Sequence, residues 1–349
     1  MSDPNPFSQP LTVRNLQVSN RVFLAPLAGV SDVPFRRMCR AAGAGLAYVE
    51  MLSSEAINHA SARTYAMMER HPDEDVLGVQ VTGPNVASVA DAVERLDKMP
   101  FDTIDINMGC PVKKIVSKGW GSAILLDPER VEATVARCRE RTDLPLSVKV
   151  RLGYSQSCIN VEDVVGRATQ AGADMVTVHG RVREDSYASP SDFDAIAGAV
   201  AAVRSKSSQS VITVGNGDAL NAGSARAMMA QSHCDAVMVA RGALGNPWVF
   251  REILDGVYPR ITPAEWLDTL RRHMSWHDAL YGGGLPAAAR FRKQLLWYIQ
   301  GFPGSREMRR QLATTTSLTD VVRPLEAFAN SLPPGTVRDP NFDYREGKR

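Results

Sequence analysis

The sequence predicts an α/β fold: a (β/α)8 TIM barrel followed by a small all-helical domain. Three observations carry that expectation. Short apolar runs recur along the first part of the chain, each ending in Gly, Pro or a polar residue. Segments with helical signals separate them, and beyond about residue 250 only helical patterns remain. Strands alternating with helices imply parallel pairing through right-handed crossovers. Eight such units in ~250 residues is the size of a closed barrel. A doubly wound sheet of eight strands is the alternative architecture, and no fixed-period repeat suggests a solenoid.

Taken in order, the strands are read at Val22–Ala25, Ala47–Glu50, Leu77–Val81, Thr103–Ile106, Leu146–Val150, Met175–Val178, Val211–Val214 and Ala236–Val239. Asn85 opens a helix whose Val86, Val89, Ala90, Val93 and Leu96 repeat at helical spacing. Asp127-Pro128 supplies a cap followed by proline at the first helical position. Asn160 opens Val161–Gln170, and Ser191 opens Phe193–Arg204. Thr262-Pro263 begins the helical part, which continues over Ala287–Gln300 and Arg306–Ala313. The expected organisation is an extension over 1–20, a barrel over 21–255 and a helical domain over 256–330. The proline-, glycine- and charge-rich stretch 331–349 reads as a disordered tail.

Composition narrows the class. At 349 residues and 44% hydrophobic content, the chain can bury a large core. No apolar run approaches the ~20 residues of a membrane span, and the start, Met1-Ser-Asp-Pro-Asn-Pro6, lacks the features of a signal peptide. Five cysteines without a C-x-x-C argue against a disulfide framework and against structural zinc. The expectation is a cytoplasmic protein with no membrane and no obligate protein partner. A net charge of +2 implies no nucleic acid, so only local clustering can point to one.

Local clustering is present. In a barrel, side chains just past the C-terminal strand ends converge on one mouth. Those positions hold Pro26, Leu27 and Ala28, then Glu50 and Met51, with Gln80 inside the third strand. Asn107 and Cys110 follow strand four, Lys149 and Arg151 end strand five, and His179 and Arg181 follow strand six. Asn216, Gly217 and Asp218 follow strand seven, and Ala240 with Arg241 follows strand eight. Alone, each has an ordinary reading: a buried structural cysteine, an exposed lysine, a histidine bonded to a carbonyl, an Asn-Gly-Asp turn. Their convergence favours a ligand. Glycine-rich loops after strands seven and eight commonly hold phosphate in this fold, and Arg241 suits a phosphate. Gln80, Lys149 and His179 are donors suited to a planar heterocycle, over an apolar floor of Pro26, Leu27 and Ala28. A flat phosphorylated cofactor fits, and FMN is the natural candidate.

At these residues the chain resembles the flavin-dependent tRNA-dihydrouridine synthase family, nearest its B-type branch. The matching segments include Ala25-Pro-Leu-Ala-Gly-Val-Ser-Asp32, Asp105-Ile-Asn-Met-Gly-Cys-Pro111, Val148-Lys-Val-Arg151 and His179-Gly-Arg181. Gly215-Asn-Gly-Asp218 and Arg241-Gly-Ala-Leu-Gly-Asn-Pro-Trp-Val-Phe250 continue the match, which spans about Arg21 to Leu325. The resemblance implies an NADPH-dependent, FMN-mediated reduction of the C5–C6 double bond of a D-loop uridine in tRNA. It makes Cys110 the proton donor. It assigns FMN to Pro26, Leu27, Ala28, Gln80, Lys149, His179, Asn216, Gly217, Asp218, Ala240 and Arg241. Asn107, Arg181, Arg290 and Lys293 are expected to contact substrate, and no metal is implied. Three departures stand out: Leu27 where methionine is usual, Ala240 where glycine is usual, and Gln294 where relatives often carry histidine. From Pro286 to Arg323 seven Lys/Arg face two acids, a net +5 suited to RNA phosphates. Two rivals remain: an FMN barrel acting on a free pyrimidine or enone, similar to a dihydroorotate dehydrogenase, and a non-catalytic RNA-binding barrel.

Overall fold

The computed structural model describes residues 5–207 and 210–339. Eight parallel strands form the barrel: β1 (Val22–Leu24), β2 (Ala47–Tyr48), β3 (Leu77–Thr82), β4 (Thr103–Met108), β5 (Leu146–Arg151), β6 (Met175–His179), β7 (Ile212–Asn216) and β8 (Ala236–Val239). They run β1-β8-β7-β6-β5-β4-β3-β2 in hydrogen-bonded order. A parallel bridge between Phe23 and Leu46 closes the ring, with Leu24 N donating to Leu46 O at 2.8 Å. The doubly wound alternative is thereby excluded.

Strand residues alternate between two surroundings, as a pleated strand requires. Along β5, Leu146, Val148 and Val150 pack outward into the cluster shared with the helices. Ser147, Lys149 and Arg151 occupy the other face. The helices are α1 (Val33–Ala41), α2 (Val86–Asp97), α3 (Pro128–Arg139), α4 (Val161–Gln170), α5 (Phe193–Lys206), α6 (Ala222–Ser232) and α7 (Val249–Asp255). Between β2 and β3 stand a two-residue strand, Leu52–Ser53, which pairs in parallel with β3, and two short helical pieces, Ser54–Asn58 and Ala62–Met67. Caps follow the sequence signals at Asn85, which accepts from Ser88 N at 2.8 Å, and at Asp127, which accepts from Arg130 N at 3.0 Å. One cap expectation is corrected. Asp192, not Ser191, caps α5, because its carboxylate reaches Ala195 N at 2.8 Å. Asn160 precedes α4 without a side-chain cap, its amide instead donating to Leu125 O at 2.7 Å.

Segments outside the barrel proper seal it. The antiparallel pair Leu11–Val13 and Leu16–Val18 buries Leu11, Val13 and Val18 with the barrel residues Phe23, Ile212 and Ala236. Beyond the barrel come α8 (Pro263–Tyr281), α9 (Gly284–Tyr298), α10 (Ser305–Leu312) and α11 (Val322–Ser331). They share a second core around Trp266, Phe291, Tyr298, Leu325 and Phe328. The Trp266 indole N–H donates to Tyr298 O at 2.8 Å.

The expected tail is corrected over 331–339, and the rest of it lies outside the described residues. Arg338 is fully buried, donating to Gln300 O at 2.9 Å and to Asn246 Oδ1 at 2.9 Å. A segment rich in proline and glycine looks solvated in sequence, but one long-range guanidinium ties it down. No helix among the described residues is long and apolar enough to cross a membrane.

Candidate active site

A cavity of 370 Å³ opens at the C-terminal ends of the strands, within the ~300–1,000 Å³ usual for small-molecule sites. A chain of hydrogen bonds fixes its central wall. Asp105, buried on β4, accepts from Ser147 Oγ at 2.5 Å and from Gln80 Nε2 at 2.7 Å. Gln80 Oε1 then accepts from Asn107 Nδ2 at 2.9 Å. That orients the Asn107 oxygen toward the next turn, where it accepts from Gly109 N at 3.2 Å and Cys110 N at 2.9 Å. A buried carboxylate can only accept when ionised, so the direction of each amide along the chain is set.

The Cys110 turn is held from its other side as well. Ser122 Oγ donates to Cys110 O at 2.9 Å, and Arg151 Nε donates to Gly109 O at 2.9 Å. Gly121 has φ +56°, and a Cβ there would stand 2.8 Å from Cys110 O, so the turn requires glycine. The Cys110 side chain lines the cavity, half-buried. Burial pushes its thiol up despite nearby Arg151 and Lys149, which keeps it protonated at neutral pH. The group is an acid, not a standing thiolate.

Lys149 and His179 face the same space. Lys149 Nζ donates to Asn216 Oδ1 at 2.7 Å, and Asn216 Nδ2 donates to Met238 O at 2.8 Å. Burial, reinforced by Arg151, lowers the Lys149 pKa, while Asp105 works against that fall. Burial holds His179 well below its usual range, with four cations around it adding to the effect, so the imidazole is neutral. Pro26, Leu27, Ala28 and Ala240 supply small apolar surface.

At the far end, Gly217 has φ +109°, and a Cβ there would meet Ser191 Oγ at 2.4 Å. Asp218 pairs with Arg241 at 2.7 Å, and the Arg241 guanidinium lies 4.7 Å from the Tyr187 ring centre. Gly217, Asp218, Arg241 and Tyr187 line the cavity.

Two of the expected substrate contacts, Arg181 and Lys293, are held by protein partners, whereas Arg290 stays exposed. Arg181 has no exposed side-chain surface and donates to Asp218 Oδ2 at 2.6 Å and Ser189 O at 2.9 Å. It braces Asp218 and does not reach the cavity. Arg290 and Lys293 line a separate 160 Å³ cavity with Asp32, Glu50 and Tyr281. Arg290 is exposed, its guanidinium 4.8 Å from the Tyr281 ring centre, whereas Lys293 turns inward and donates to Gly29 O. Asp105 and Tyr187 were missed from sequence. A polar residue inside the apolar run Thr103–Ile106 was a usable signal for Asp105. Tyr187 sits in a loop without periodicity, and nothing local marks it. Among the described residues no group of His, Cys, Asp or Glu could hold a metal ion.

A closed parallel barrel whose convergent polar side chains meet at one mouth is the layout of an α/β-barrel enzyme. Residues 23–332 match the family model for dihydrouridine synthase. tRNA-dihydrouridine synthase B of Pseudomonas aeruginosa is 34% identical over 84% of this chain and 87% of its own length. The protein of the same name from Escherichia coli is 33% identical over 91% of this chain and 98% of its own. Among solved structures, DHODH of Eimeria tenella in complex with ferulenol aligns with a TM-score of 0.51 at 13% identity. It covers 74% of this chain and 88% of that one, a likeness of fold alone. The chain belongs to the dihydrouridine synthase family.

Proposed function

We propose that this chain reduces the C5–C6 double bond of a D-loop uridine in tRNA, with FMN as bound cofactor and NADPH as reductant. The observation that carries the reading is Cys110: a protonated thiol on a turn locked from both sides, lining a cavity of cofactor size. The donor set fits FMN. Lys149 keeps N–H donors beyond the one given to Asn216, the apolar loop Pro26–Ala28 suits a flat ring, and Arg241 beside Gly217 suits a phosphate. Gln80, His179, Asn216, Asp218 and Ala240 complete the holding residues.

Bound there, FMN would supply the hydride for C6 of the uracil, with NADPH as the source of electrons. Cys110 delivers its proton to C5 as the C5–C6 double bond is lost, acting as general acid, and the thiolate is reprotonated from solvent. Lys149 and neutral His179 donate toward negative charge developing on the ring carbonyls, and Asn107 keeps the thiol in place. The target base must leave its stack to enter a barrel mouth. Lys113 and Lys114 on the short helix after Cys110, Lys118 beside Trp120, and Arg290 with the basic face of α10 provide the phosphate-tracking surface. A free pyrimidine needs no such surface, which favours tRNA over the small-substrate rival.

The direct test incubates the purified chain with FMN, NADPH and unmodified tRNA, then maps dihydrouridine by mass spectrometry. Product at a D-loop position supports the reading; turnover of free pyrimidines or enones with no tRNA product sinks it. Arg241→Ala should purify with little flavin and melt at lower temperature, with added FMN restoring part of the stability through linkage. Flavin absorbance and a thermal melt with and without FMN check this, and full occupancy in the variant would move the phosphate elsewhere.

A further inference from the structure

The loop Ala25–Asp32 leaves β1 and brings Pro26, Leu27 and Ala28 to the large cavity. Its outer side is fastened by the helical region at two points. At the first, Lys293 Nζ on α9 donates to Gly29 O, while Glu50, just past β2, accepts from Gly29 N. Gly29 has φ +68°, and a Cβ there would stand 3.3 Å from the Lys293 ammonium, so glycine leaves room for this approach. At the second, Asp32 accepts from Phe35 N at 3.1 Å as the cap of α1. The same carboxylate accepts the Tyr281 hydroxyl at 3.2 Å and lies 3.3 Å from His277 Nδ1, both on α8.

Between those points the loop is a closed turn. Val30 N and Ser31 N both donate to Leu27 O at 2.9 Å, and Ser31 O accepts from Arg36 at 3.0 Å. Displacement at Gly29 or Asp32 is therefore passed to Leu27, which Val30 and Ser31 hold by hydrogen bonds.

We propose that Lys293, opposed by Glu50 across Gly29, is a positioning residue that holds the Pro26–Ala28 floor for the cofactor, rather than a contact to RNA phosphate. The inference rests on FMN as the occupant of the large cavity. A preformed floor spares the cofactor the entropy of ordering it. Releasing one loop residue should cost about tenfold in affinity, the scale of ordering a single backbone unit.

The test titrates FMN into the apoprotein and follows quenching of flavin fluorescence. Lys293→Met should weaken FMN about tenfold, and Lys293→Arg, which keeps a donor, should recover most of that loss. Tyr281→Phe, which removes one hydroxyl at the second fastening, should weaken FMN in the same direction. With FMN saturating, tRNA affinity of Lys293→Met should keep the wild-type dependence on salt. Unchanged FMN affinity together with a shallower salt dependence would make Lys293 an RNA contact and overturn the proposal. Failure of the wild-type apoprotein to bind FMN would instead overturn the cofactor reading, and this inference with it.

Discussion

Cys110→Ala is expected to cut tRNA uridine reduction by ~10² to 10⁴, the usual contribution of a positioned general acid. FMN content and NADPH-driven flavin reduction should stay near wild type, since in the proposed mechanism the thiol acts only on the substrate carbon. Single-turnover measurements separate the two half-reactions. The pH profile supplies an independent check. Burial raises the Cys110 pKa, so the proton is present below and through neutrality and is lost only above the ordinary thiol range of ~8.5. Uridine reduction should therefore hold through neutral pH and fall at alkaline pH, and Cys110→Ala should lack that alkaline limb. Wild-type turnover in the variant would mean that another group protonates C5.

The largest stability effect is expected at an ion pair buried behind the loop that carries the cavity floor. Arg36 on α1 is fully buried and forms a bidentate pair with Glu74, at 2.6 and 3.0 Å, while also donating to Ser31 O and Glu69 O. Glu74 is itself 1% exposed. Arg36→Met keeps most of the volume but strands a buried carboxylate and two carbonyls. The expected loss is about 3–5 kcal/mol, because removing one partner leaves the other charge without compensation. That should lower the melting temperature by roughly 4–7 °C. Replacing both partners, Arg36→Met with Glu74→Leu, should recover much of the loss, since an apolar pair of similar volume is often neutral. A single variant as stable as wild type would show that the pair contributes nothing net.

Sequence by itself determined the barrel, the strand order along the chain and most of the cavity. Short apolar runs, caps such as Asn85 and Asp127, and glycines at turns are local signals, and local physics fixes them. The strand ends then follow, because closing a parallel barrel sends every C-terminal end to one mouth. Cys110, Lys149, His179, Asn216 and Arg241 could be placed together on that ground alone. Tertiary structure decided where long side chains go. Arg181 and Lys293 read as substrate contacts from their positions beside the mouth and on a basic helix. Folding gives Arg181 to Asp218 and Lys293 to Gly29, across separations of 37 and 264 residues. Arg338, in a stretch that reads as solvated, is buried against Asn246, 92 residues away. A guanidinium or ammonium on a flexible stem can reach partners in many directions, so its sequence neighbours do not select one. The fold selects it, and for Arg181 and Arg338 it does so by burying the group where an unmet hydrogen bond would be costly.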